Sequence, residues 1–143
     1  MGDRGSEEPT FPEPPEGLIT VPENRVVAHI DEPHAAAAAI DDLVAAGFDG
    51  EGIHVLCGVK GAERLDVSGR DHGLKGRIYR LVERIGDERE HLLRLEEHLL
   101  AGGLAVSVPA GDDTKGAAAR ILGGHGGHDM VHFGKGHFES VGP

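Results

Sequence analysis

The chain has 143 residues, with 25 acidic side chains against 14 Lys and Arg, a formal charge of −11, and 38% hydrophobic residues. That length gives one domain with a real core, and the acidic balance excludes a nucleic-acid partner gripped by clustered Lys and Arg. No apolar run is long enough for a membrane span and no basic-then-apolar leader opens the chain, so a cytoplasmic protein without a membrane partner is expected.

Residues 1–24, MGDRGSEEPTFPEPPEGLITVPEN, hold five of the eight prolines and are acidic. Such a stretch supplies little apolar surface to offset the entropy of ordering, so it reads as a disordered tail. The alternative is a docking segment whose Phe11, Leu18 and Ile19 insert into a protein partner. The folded domain is expected over 25–134, opening with the apolar strand RVVAHI (25–30). DEPHAAAAAIDDLVAAGF follows, with Ala37, Ile40, Val44 and Phe48 near helical spacing, Pro33 in the first turn and Gly47 at the end. GIHVLCG (52–58) is a second strand, and its Cys57, the single cysteine of the chain, cannot form an internal disulfide. A polar stretch then leads to two helices, 74–85 and 88–101, separated by Gly86-Asp87, with Asp87 and Glu90 at capping-box spacing. LAVSVPA (104–110) is a third strand, 112–124 a short helix capped by Asp112 or Asp113, and HDMVHFG (128–134) a fourth strand. Residues 135–143 are left as a C-terminal tail.

With the helical pair 74–101 set aside as an insertion between strands two and three, this order is βαββαβ. It predicts an α+β, ferredoxin-like sandwich with an antiparallel sheet in the order 4-1-3-2. A doubly wound parallel sheet is the competing topology. Alternation along the strands then sorts their side chains onto two faces. Val26, Ala28, Ile30, Ile53, Val55, Cys57, Leu104, Val106, Val108, Val131 and Phe133 form an apolar face under the helices. The other face collects Val27, His29, His54, Leu56, Ala105, Ser107, His128, Met130 and His132. That second face is expected to be open and to serve self-association. It is also a candidate metal site formed by His29, His54, His128 and His132, with His128 or His132 next to His29. His and Met donors suit copper or iron better than magnesium, and a haem is the other cofactor such a face could hold.

Other stretches are less specific. SGRDHGLKGR (68–77) places His72, Gly73 and Arg77 at a helix start, where an anion could sit. GGHGG, with His125, Gly126 and Gly127, could wrap an anion or act only as a turn. Glu88 and His91 make a single ExxH, while Glu96, Glu97 and His98 read as solvated charge. No catalytic constellation can be read from spacing.

VVAHIDEPHAAAAAIDDLVAAGFDGEGIHVLCG resembles the opening of YflT-like general stress proteins. DHGLKGRIYRLVERIGDEREHLLRLEEHLLAGG and ILGGHGGHDMVHFG resemble longer, actinobacterial-type relatives of that family. The resemblance spans about residues 25–134 and singles out His72, Gly73, Gly76, Arg77, His125, Gly126, Gly127, His128 and Asp129. It implies a small, non-enzymatic, stress-associated cytoplasmic protein. The function expected from sequence is therefore a stress-linked binding module that forms a homo-oligomer through its open sheet face, the alternative being a metal- or haem-binding protein.

Overall fold

The computed structural model describes residues 11–67 and 77–142. In chain order the elements are β1 (Arg25–Ile30), α1 (Pro33–Ala45), a 3-10 turn (Gly50–Gly52), β2 (His54–Cys57), α2 (Val59–Val67), β3 (Arg77–Arg80), α3 (Glu90–Leu100), β4 (Leu104–Pro109), α4 (Lys115–Gly124), β5 (His128–Gly134) and β6 (His137–Ser140). The result is an α+β fold with one six-stranded sheet in the order β3-β2-β4-β1-β5-β6. The β2-β3 pair is parallel and the other four pairs are antiparallel. The expected four-stranded antiparallel sheet is thus corrected: β3 and β6 extend it at both edges, and β3 makes it mixed. The four strands read from sequence keep the neighbour order β5-β1-β4-β2 within the larger sheet.

The first of the two expected helices, 74–85, is not formed over its described part. RIYR alternates rather than turning: Ile78 packs with the core on one face, while Tyr79 packs on the other, next to Leu81. The pairing of β3 with β2, extended by Arg77 N–H to Ile53 O at 2.9 Å and Leu81 N–H to Cys57 O at 2.8 Å, outweighs the local helical spacing. The second expected helix forms as α3 and begins at Glu90, because the Asp87 carboxylate takes the Arg89 N–H at 3.0 Å and holds that residue extended. The described part of the polar stretch that follows β2, residues 59–67, is instead helical as α2, with Ala62 and Leu65 packed in the core. Helix α4 starts at Lys115, with Thr114 rather than Asp112 or Asp113 in the N-cap position.

One face of the sheet is covered by α1 and α4. There Val26, Ala28, Ile30, Val55 and Val106 meet Ala36, Ile40, Leu43, Ala118 and Leu122. The other face is not open: Leu92, Leu95 and Leu99 of α3 pack with Leu56, Ala105 and Ile19. Three buried leucines at i, i+3 and i+7 make this the apolar stripe of an amphipathic helix, each worth about 1.5–3 kcal/mol of burial. The expected tail boundaries move as well. Phe11 and Ile19 are buried in the two cores, the Arg80 N–H donates to Pro12 O at 2.7 Å, and residues 137–140 pair with β5 as a strand.

The placement of β5 decides the histidines. Val27 lies opposite Val131, but His29 lies opposite His128, so β5 carries one extra residue in between. Asp129 takes that bulge with φ +50°. A one-residue bulge breaks the side-chain alternation, so Met130 and His132 turn to the α1/α4 side while Val131 and Phe133 turn to the α3 side. The expected grouping of His128, Met130 and His132 on one face is corrected accordingly.

Candidate metal centre

Three separated segments carry histidines to one point at the edge of the α3-covered face. β1 supplies His29, which is 5% exposed, and Asp31 follows two residues later just past the strand end. β5 opens with His128, set against His29 by the register, and its bulge presents Asp129. α3 supplies His98 from its last turn.

The rings of His29 and His98 stack with centroids 4.5 Å apart and planes inclined at 26°. His128 stands edge-on to both, 5.6 Å from each. His128 Nδ1 lies 2.8 Å from Asp129 Oδ2, and its Nε2 lies 3.1 Å from Asp31 Oδ1. His29 Nδ1 is 3.9 Å from the same Asp129 oxygen. His98 Nε2 sits 2.7 Å from Leu104 O. A carbonyl oxygen only accepts, so that nitrogen carries the proton and His98 Nδ1 keeps a free lone pair. Gly103 makes this ring position possible, since a Cβ there would run into the His98 imidazole.

Burial, and then the neighbouring His98, pushes His29 down to about 4. Its imidazole is therefore neutral at neutral pH, the state in which it can donate to a metal. His128 is shifted the other way, raised chiefly by its hydrogen bond to Asp31, and that same bond, on one side, and the bond to Asp129, on the other, lower both carboxylates. Within the cluster, ligand atoms of His29, His128 and Asp129 lie within 4.8 Å of one another, and so do those of Asp31, His98 and His128. Two donors on one tetrahedral ion sit roughly 3.4 Å apart, given metal–ligand distances near 2.1 Å. The observed 2.8, 3.1 and 3.9 Å bracket that spacing. A groove of about 630 Å³ runs past His29 and Asp129 towards Arg94 and Phe138, giving an ion a way in. The space beside His29 under α3 is only about 20 Å³, room for about one water. The donors form two ion-spaced triads that share His128.

Of the four expected metal ligands, His29 and His128 come together; His54 and His132 do not join them. His54 lies across β4, opposite Ser107, edge-on to Tyr79 at 5.3 Å, and is pushed down to about 4 by burial and then by Arg25 and Arg77. His132 is fully buried on the opposite face, where its Nε2–H donates to Ala110 O at 2.9 Å. Of the anion candidates, His125 closes α4 and pairs with Asp42 at 2.6 Å, Gly126 turns the chain at φ +84°, and Gly127 packs so closely that a Cβ would lie 2.7 Å from Leu122 O. These three form the turn that delivers His128. Arg77 is exposed on β3, and His72, Gly73 and Gly76 lie outside the described residues.

His98 and Asp31 were not singled out as ligands by the sequence, although signals exist for both. Asp31 sits two positions after His29, on the same face by strand alternation. His98 flanks the Leu92-Leu95-Leu99 stripe, at the border of the buried side of α3. No helix among the described residues is long and apolar enough to cross a membrane. No family model, no curated protein and no solved structure matches the chain, so these comparisons add no support to the family resemblance.

Proposed function

We propose that this chain is a metal-binding module that takes a divalent transition-metal ion at the cluster of His29, His98, His128, Asp31 and Asp129. The observation that carries the reading is the convergence of three imidazoles and two carboxylates, from three distant parts of the chain, onto ligand-spaced positions. Imidazole nitrogen with carboxylate oxygen suits zinc, nickel, copper or iron, and a magnesium site would be built from oxygen alone. The carbonyl that fixes His98 by its Nε2–H is the orienting contact such ligands need. The neighbour order β5-β1-β4-β2, with α1 and α4 on one face, supports reading the core as ferredoxin-like with two added edge strands. We read the module as non-enzymatic and stress-associated, as the sequence resemblance implies, with metal capture or sensing as its role.

The test is dialysis of the full chain against zinc followed by elemental analysis, alongside His29→Ala and His54→Ala. The wild type and His54→Ala are expected to retain zinc and His29→Ala to lose it. A wild type that retains none, or an unaffected His29→Ala, would refute the assignment.

A further inference from the structure

We infer that the centre holds two ions rather than one, bridged by the imidazole ring of His128. This rests on the metal-binding reading above and adds its stoichiometry and its mode of assembly. The first position is formed by His29, Asp129 and His128 Nδ1, the second by Asp31, His98 and His128 Nε2. The two ring nitrogens of an imidazole aim their lone pairs away from each other in the ring plane, so no single ion can use both. Each nitrogen of His128 nevertheless faces its own carboxylate, at 2.8 Å and 3.1 Å. Each carboxylate is accompanied by its own second histidine: His29 for Asp129, and His98 for Asp31. The two triads share no donor except the His128 ring. Among the described residues, Arg94 is paired with Glu90 at 2.6 Å and Arg64 with Glu32 at 3.0 Å, and each acts on Asp129 or Asp31 only as a nearby charge. As each nitrogen–metal bond forms, the proton on that nitrogen leaves to solvent; the ring ends as an imidazolate, and no electrons are transferred.

Copper(II) is the probe, because each isolated ion gives a paramagnetic resonance signal and two ions joined through an imidazolate quench one another. The full chain is titrated with copper(II), and the sites that belong to the centre are counted as those lost in His128→Ala. The expected result is two such ions per chain, with a signal that grows over the first equivalent and collapses over the second. Asp31→Asn is expected to hold one ion and keep its signal. Saturation at one ion would overturn the bridge and leave the metal-binding reading standing. Two ions with undiminished signals would likewise overturn the bridge. No binding that depends on His128 would overturn both.

Discussion

His29 is buried against the half-buried ring of His98, a setting that disfavours charge on His29. Burial holds the His29 imidazole near 4, against an ordinary value of 6.5, and His54 is held at about 4 in its separate position. As the pH falls below 6.5 the unfolded chain takes up protons at these residues while the folded chain does not, so stability declines until about pH 4. At about 1.4 kcal/mol per pH unit, full titration of His29 accounts for on the order of 3 kcal/mol. His128 works in the opposite sense: raised by Asp31, it contributes stability that is fully present below 6.5 and is lost as the pH rises through its folded value. Its contribution therefore does not change across the window in which His29 and His54 act. Urea midpoints measured between about pH 4 and 6.5 are expected to fall on acidification, and His29→Gln is expected to flatten the slope. An unchanged slope in that variant would remove His29 as the cause. Gly103→Ala makes a second prediction at this scale. Its Cβ would displace the His98 ring, so zinc affinity is expected to drop at least tenfold, about 1.4 kcal/mol, by calorimetry. An unchanged affinity would show that the ring position is not needed.

Helix α3 and the β5 bulge do the positioning. Leu92, Leu95 and Leu99 seat α3 on Leu56 and Ala105, which sets His98 over His29. Leu95→Ala is expected to destabilise the fold by about 2–5 kcal/mol in urea unfolding and to weaken metal binding as the helix loosens. A loss below 1 kcal/mol, on the same scale, would mean that α3 is not anchored there. The strands around His29, His54 and Ala105 were legible in the sequence because short apolar runs, the last two of them bounded by glycine, are local signals. The α3 stripe was legible for the same reason. The β3 edge strand was not, since Ile78, Leu81 and Ile85 fit helical spacing and only the long-range pairing with β2 overrides it. Two of the five site residues were legible as ligands: alternation put His29 and His128 on one face, but the bulge at Asp129, which has no local signature, sent His132 to the other.

At the scale of the whole molecule, the centre draws its ligands from residues 29 to 129 and joins the end of β1, the last turn of α3 and the start of β5. An unfolded chain holds these groups far apart, so an ion that binds here favours the folded state by mass action. At a free zinc concentration about a hundredfold above the dissociation constant, the gain is about 2.7 kcal/mol. The melting temperature is thus expected to rise by several degrees with zinc and to return on addition of a chelator. The most direct test of the centre reads the ring nitrogens themselves, by long-range proton–nitrogen correlation spectra of the histidines with and without zinc. Nitrogens of His29, His98 and His128 are expected to move to metal-bound positions, while His98 Nε2 keeps its proton and His54 and His132 stay unchanged. Zinc that shifts none of those three rings, or only exposed histidines such as His34 and His137, would contradict it.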